Sequence, residues 1–187
     1  LEALAQPWNW VLGLAVFFLA RILGTLYLLC RLHNEALVPR LRRQVLRDTV
    51  PFLLFFVAFT LYLLTLKGLT YQVDKQVFVV ESYKYLHNFL ALPLVTALFL
   101  LGVVGVLYGI GRTLLKPTYT QGIWFVAIGT VFAVWALLLI AGLNNTAFYP
   151  SITSPQSSLC LANSCSSEFT LRTMAIVSLL IPFVLAY

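Results

Sequence analysis

The chain has 187 residues, of which 61% are hydrophobic and only 10% carry a charged side chain. Soluble domains carry roughly 25% charged residues, so this composition excludes a water-soluble globular fold. The formal net charge is +6, but the basic residues lie between long apolar runs, which is typical of membrane topology signals and not of a nucleic-acid interface. Because a lipid-exposed segment must satisfy its own backbone hydrogen bonds, we predict an all-α integral membrane protein that contacts the lipid bilayer and no nucleic acid.

Five apolar runs are each close to the ~20 residues that a helix needs to cross a bilayer. The five predicted helices, numbered first to fifth below, cover about residues 8–30, 49–66, 87–112, 123–143 and 168–187. Asp48 or Thr49 is expected to cap the second helix, with Pro51 in its first turn. Residues 66–85 are expected to form a connection of mixed polarity. We predict one transmembrane domain over 1–187, and we expect the chain to be truncated at both ends.

Loop charges predict the orientation of these helices. The first-to-second and third-to-fourth connections carry a cluster of basic residues, namely Arg31, Arg40, Arg42, Arg43, Arg47, Arg112 and Lys116. The other two connections hold only Lys67, Lys75 and Lys84, which are offset by acids. The positive-inside rule therefore places the two Arg-rich connections in the cytoplasm and the other two outside.

Arg21 is the one charged residue deep inside an apolar run. It lies roughly 15 Å along the helix from Arg31, too far for its side chain to reach the inner surface easily. The nearest acids in sequence, Glu2 and Glu35, lie beyond the apolar run, so its partners must come from other helices or another subunit. Such charges mark either a proton or substrate path or a structural contact. We favour the structural role, with Arg21 facing the protein interior.

Small residues on the third predicted helix indicate close helix packing. Gly102, Gly105 and Gly109 recur at spacings of three and four, so they share one face where another helix can approach. At the start of the fifth predicted helix, Glu168 suits the helix dipole, and Arg172 four residues later can pair with it. We treat these residues as structural or interface candidates.

The sequence predicts no catalytic, cofactor-binding or metal-binding residue. Axial haem ligands would have to lie in the bundle interior. We expect both histidines outside it, because His33 is in the basic loop and His87 is at the outer end of the third predicted helix. No His, Cys and Asp cluster has metal-ligand spacing, and no nucleophile is paired with a base. All six acids are expected at helix ends or in loops, so no intramembrane carboxylate pair is expected.

Three cysteines are present. Cys160 and Cys165 both lie in a loop expected on the outer side, where an oxidising environment permits a disulfide. Spacing alone does not fix disulfide geometry, so bonded and unbonded forms both stay open. Cys30 is expected to be a small buried hydrophobe.

Six segments occur in an ordered series along the second half of the chain: 109–117 (GIGRTLLKP), 122–125 (GIWF), 144–151 (NNTAFYPS), 156–159 (QSSL), 166–171 (SSEFTL) and 178–183 (SLLIPF). Through these segments the chain resembles, from about Trp8 to Tyr187, subunit II of the cytochrome bd-type quinol oxidases. In this family, small or polar residues are expected at the positions of Cys160 and Cys165. The two cysteines are a difference in the loop and do not alter the resemblance to the family.

The resemblance implies that the five predicted helices are the last five of about nine, the last four forming one four-helix bundle. It implies a heterodimer with subunit I, which carries b-type haem and haem d and oxidises quinol, while subunit II binds no haem. The expected location is the bacterial inner membrane, with small accessory subunits as further partners. Acids thought to deliver protons lie in the family's early helices, so none is carried over to this chain.

We therefore predict the non-haem subunit of a quinol:oxygen oxidoreductase, an enzyme whose catalytic residues lie outside this chain. Two alternatives stay open. Half of a secondary transporter would show inverted repeats and helices broken at the membrane midplane. A membrane scaffold without activity is the other. Pro93 lies near a helix end and the glycines of the third predicted helix are spaced for packing, which favours the oxidase subunit over the transporter.

Overall fold

A computed structural model of the chain describes residues 6–32, 36–116, 119–148, 150–151 and 154–161, with the single residues 173 and 177. Its elements are α1 (Pro7–Arg31), α2 (Val38–Thr65), β1 (Gly68–Gln72), β2 (Val77–Glu81), α3 (Lys84–Ala91), α4 (Pro93–Leu115), α5 (Gly122–Gly142) and a 3₁₀ turn (Pro155–Ser157). Helices α1, α2, α4 and α5 are each long and apolar enough to cross a membrane. The predicted all-α membrane fold is confirmed, with four spans described.

The fifth predicted helix, 168–187, lies outside the described residues except for 173 and 177. Its grouping with the three preceding helices into one bundle therefore stays a prediction. Within the described residues, α1 packs against α2 and α4 packs against α5, and the two pairs contact each other.

A common core joins the two helix pairs. It consists of buried side chains from all four long helices: Ile22, Leu26, Leu29, Val45, Phe52, Val106, Ile110 and Val126. Many of the other large apolar side chains on these helices are exposed. Lipid tails are as apolar as leucine, so such an exposed surface suits a bilayer and would be unfavourable in water.

Helix α2 begins at Val38, well before the predicted start near residue 49. Val38, Leu41 and Val45 recur at helical spacing and pack onto the common core. This segment is therefore an amphipathic helix, in which Arg40, Arg43 and Arg47 are exposed. Asp48 and Pro51 consequently lie in the helix interior. The expectations that Asp48 caps the helix and that every acid lies at a helix end or in a loop are corrected by this longer helix.

The third predicted helix is divided into α3 and α4 at Leu92. Leu92 has φ −115° and ψ 75°, outside the helical region. The ring of Pro93 disfavours a helical conformation in the residue before it, and Pro93 itself can open a helix because its missing N–H is not needed there. The break separates a short amphipathic helix from the apolar span that follows.

A β-hairpin forms most of the connection of mixed polarity that was expected between residues 66 and 85. Strands β1 and β2 pair antiparallel, with Tyr71 opposite Phe78. The loop after α5 lies along the other edge of β1. The N–H of Tyr71 donates to the carbonyl of Asn145 over 2.8 Å, and the N–H of Ala147 donates to the carbonyl of Leu69 over 2.8 Å. β-Branched and aromatic residues on both sides of a polar four-residue turn were the available sequence signal.

The loop also closes over β2. The N–H of Phe78 donates to the side-chain oxygen of Gln156 over 3.0 Å, as a neighbouring strand would accept it. Phe78, Ala147 and Cys160 are buried together beneath this contact. We call β1, β2, α3 and the described part of residues 144–160 the hairpin layer; it covers one end of the helices.

Candidate functional site

Arg21 of α1 and Asp48 of α2 form an ion pair inside the first helix pair, with Arg21 Nε 3.1 Å from Asp48 Oδ2. The side-chain amide of Gln44, one turn before Asp48, donates to the same oxygen over 2.9 Å. Asp48 is only 4% exposed. The Arg21 side chain is 46% exposed, and its guanidinium lies 5.7 Å from the centre of the Phe17 ring. The carboxylate is therefore enclosed and doubly hydrogen-bonded, while part of the guanidinium is accessible from outside the helix pair.

The sequence predicted that a partner of Arg21 comes from another helix or another subunit, but it did not identify Asp48 as that partner. A signal for it did exist. Asp48 continues the series Val38, Leu41 and Val45 at a spacing of three or four, so it falls on the face of α2 that meets α1. Nearly half of the Arg21 side chain is exposed in the chain by itself, and its position in the protein interior stays a prediction.

The chemistry of this pair favours structure over proton transfer. A guanidinium stays protonated at all ordinary pH values and offers donors only. Thr25 and Gly24 line the shallow groove beside the pair, and the Thr25 hydroxyl is already engaged, since it donates to the carbonyl of Arg21 over 2.8 Å. The pair can hold α1 against α2 at membrane depth, where an uncompensated charge would be costly.

Three glycines of α4 lie on the face that contacts α5: Gly102, Gly105 and Gly109. A Cβ atom on Gly102 would lie 2.5 Å from the backbone nitrogen of Ala133 and 2.7 Å from the carbonyl oxygen of Gly129. One on Gly109 would lie 2.7 Å from the carbonyl oxygen of Gly122. The α5 glycines were not singled out from the sequence, although their spacing of two helical turns was a signal. Backbone thus meets backbone along this interface.

A polar cluster surrounds Glu81 at the end of β2. Its carboxylate accepts the Thr70 hydroxyl over 2.7 Å and lies 3.1 Å from the Lys84 ammonium. Its other oxygen is 2.7 Å from Nδ1 of His87. These contacts, first the hydrogen bond with His87 and then that with Thr70, lower the pKa of Glu81 from 4.5 to about 2. His87 is thus engaged with a carboxylate on the exposed surface of the hairpin layer.

Asn88 of α3 joins the hairpin layer to the end of α5. Its buried amide nitrogen donates to the carbonyl of Ile140 over 2.8 Å and to the hydroxyl of Thr146 over 2.7 Å, and the amide of Asn144 donates to its oxygen over 3.0 Å. Asn144 and Asn145 have φ of 58° and 56°, a left-handed conformation that asparagine tolerates and that turns the chain back towards β1. No pattern in the sequence marked Asn88 as a contact residue.

Among the described residues, no group of three or more His, Cys, Asp or Glu side chains could hold a metal ion. Cys160 is buried and Cys30 is partly buried, while the other predicted disulfide partner, Cys165, lies outside the described residues, so the disulfide stays a prediction. The remaining predicted residues, His33, Glu168 and Arg172, also lie outside them.

A cavity among the long helices is lined by apolar side chains such as Ala15, Phe52 and Val106, and by Thr130. The Thr130 hydroxyl donates to the carbonyl of Val126 over 2.7 Å, so the described lining offers no spare hydroxyl donor to orient a polar substrate. The lining of this cavity is therefore suited to apolar groups.

Comparison with known sequences gives one family match. The sequence model of the family described as cytochrome bd terminal oxidase subunit II matches residues 1–187. No curated protein matches the chain.

Proposed function

Because the chain belongs to the cytochrome bd terminal oxidase subunit II family, we propose that it acts as the non-haem subunit of a quinol:oxygen oxidoreductase and supports a haem-bearing partner. It is a multi-pass membrane protein and a subunit of a respiratory oxidase. The family match over residues 1–187 carries the proposal.

The proposal places quinol oxidation, the b-type haems and haem d in subunit I, and gives this chain no cofactor. The position of His87 supports this. Its ring pairs with Glu81 on the exposed surface of the hairpin layer, whereas a haem ligand needs a position inside a helix bundle. We propose further that the protein lies in the bacterial inner membrane with the Arg-rich helix ends in the cytoplasm, because arginine and lysine are concentrated there.

We propose a structural role for the intramembrane side chains of this chain. The Arg21–Asp48 pair fixes α1 on α2, and the glycine contacts fix α4 on α5. Together these two helix pairs would offer subunit I a firm surface, in one transmembrane domain. The four described spans are continuous helices, which does not favour the alternative of a transporter with helices broken at the midplane.

The test is purification of the full complex through an affinity tag on this chain, followed by visible spectroscopy and oxygen uptake with quinol. We expect haem d and b-type haem bands to co-purify, and we expect His87→Ala to leave every band in place. Loss of a haem band in His87→Ala would contradict the haem-free assignment. A pure complex without haem that moves a solute across vesicles would favour the transporter instead.

A further inference from the structure

Arg112, in the last turn of α4, has an unusual environment. Its Nε atom is buried and has no hydrogen-bond partner among the described residues. Its guanidinium carbon lies 6.0 Å from the centre of the Tyr108 ring and 5.7 Å from that of Tyr119. The three ion pairs among the described residues all involve Asp48 or Glu81, so neither of these carboxylates is paired with Arg112. Two aromatic rings therefore flank a cation whose buried Nε is unpaired among the described residues.

Further positive charge lies next to Arg112. Lys116 follows it by four residues, which places both on one side of the helix end. The guanidinium of Arg42, near the start of α2, donates from Nη2 to the carbonyl of Lys116 over 3.0 Å. Arg42, Arg112 and Lys116 therefore lie close together where the start of α2 meets the end of α4. Such a group fits a phosphate, because a charge-assisted hydrogen bond to a guanidinium is strong and directional.

An apolar groove continues from this cluster along the outside of α4 and α5. Tyr108, beside Arg112, packs edge-on against Phe125 with ring centres 5.0 Å apart. Phe125 lines the groove, together with Leu101, Gly105, Ile128, Gly129 and Phe132. On α4 the groove residues share one face with Tyr108 and Arg112, at spacings of three and four. Gly105 and Gly129 carry no side chains, so the floor of the groove is formed by the closely packed backbones of α4 and α5.

We propose that this surface binds an anionic phospholipid, with the headgroup phosphate on Arg112 and Lys116 and one acyl chain in the groove between α4 and α5. Charge complementarity selects the headgroup, since the site joins several cations with an unpaired buried donor. The groove selects a lipid over free phosphate, since it begins at the Tyr108–Phe125 contact and is lined by apolar residues and glycine. The site does not depend on which side of the membrane is cytoplasmic.

The test uses the full oxidase complex, purified in mild detergent, stripped of lipid, and given phosphatidylglycerol, phosphatidylethanolamine or inorganic phosphate. Retained lipid is measured by mass spectrometry and the midpoint of thermal unfolding by fluorescence. We expect the wild type to prefer phosphatidylglycerol. Arg112→Gln should weaken this binding roughly fivefold, the usual contribution of one basic residue at a membrane surface. Arg112→Lys should retain most of it, which separates charge from folding.

The matched control is Arg43→Gln, which removes an exposed arginine near the same end of α2. This variant should bind phosphatidylglycerol as the wild type does. Equal losses in Arg43→Gln and Arg112→Gln would overturn the proposal in favour of diffuse surface charge. Equal binding of the two lipids by the wild type would overturn it too, and stabilisation by inorganic phosphate as strong as that by lipid would contradict the role of the groove.

Discussion

The side-chain nitrogen of Asn88 lies 2.8 Å from the carbonyl oxygen of Ile140 and donates a hydrogen bond to it. This contact connects the short helix α3 to the last turn of α5, where carbonyl groups have no partner within the helix. Asn88 is fully buried, so water cannot replace the bond. This amide is therefore one of the contacts that join the hairpin layer to the membrane helices.

We expect Asn88→Ala to loosen this attachment by about 1–3 kcal/mol, because buried polar groups of α5 and of Thr146 lose their partner. The measurement is hydrogen exchange of backbone amides in β1 and α3, which should become faster while the amides of α4 stay protected. Gln72→Ala, on the exposed end of β1, is the control and should change little. Unchanged exchange in Asn88→Ala would contradict the connecting role.

The ion pair gives a second prediction through a double-mutant cycle. Arg21→Leu leaves the buried Asp48 carboxylate without its charged partner and should lower complex yield and stability, by about 1–3 kcal/mol or more. The double variant Arg21→Leu with Asp48→Leu removes both charges and should recover part of the loss. Arg21→Glu should be worse than Arg21→Leu, because it places two carboxylates together.

The rate of quinol oxidation by the assembled complex distinguishes a structural role of the Arg21–Asp48 pair from a role in proton delivery. With a structural role, turnover per assembled complex should stay near normal in both leucine variants, and Arg43→Leu should match the wild type. Normal yield with abolished turnover in Arg21→Leu would instead point to proton delivery through this site.

The glycine contacts predict opposite effects of one substitution at two places in α4. Gly102→Ala should cost about 1–3 kcal/mol, because its methyl group would press against the backbone of Ala133 and force α4 and α5 apart. Gly111→Ala has open space around it and should be neutral or slightly stabilising, since alanine is the better helix former. Thermal unfolding of the purified complex measures both. Equal effects of the two substitutions would contradict the close approach.

The pKa of Glu81 predicts how the hairpin layer responds to acid. The pKa is lowered from 4.5 to about 2 in the folded chain, so the carboxylate contributes stability that is fully present above about pH 4.5. This contribution is lost as the pH falls from about 4.5 to about 2. Limited proteolysis of the hairpin between these pH values should show the loss, and Glu81→Gln should be less stable at pH 6 and less sensitive to acid. Asp74→Asn, in the exposed turn, should behave as the wild type does.

Orientation can be tested with introduced cysteines at two exposed positions, Leu37 before α2 and Lys75 in the hairpin turn. An impermeant thiol reagent applied to intact cells should label Lys75→Cys and not Leu37→Cys, and disruption of the cells should expose both. The unsubstituted chain, with its native cysteines, gives the background. If only Leu37→Cys were labelled in intact cells, the protein would have the opposite orientation to the one predicted.

The sequence by itself determined the membrane architecture. Apolar runs of about 20 residues have one stable solution in a bilayer, the helix, since lipid offers no hydrogen-bond partner. The family followed from the sequence for a similar reason: an ordered series of segments is a property of the sequence and needs no fold. The spacing of Gly102, Gly105 and Gly109 likewise marked a small-residue face of α4, although it did not identify α5 as the partner.

Only the tertiary structure decided which polar groups meet. The start of α2 reads as a basic loop by composition, and it is helical because Val38, Leu41 and Val45 find apolar partners in the common core. That helix carries Asp48 to Arg21, whose pairing joins residues 27 positions apart. The hairpin and the Asn88 contacts likewise depend on strands and loops that meet only after the helices have packed. Local patterns fix a helix or a span, but a contact between distant residues requires the relative position of two elements, which packing alone supplies.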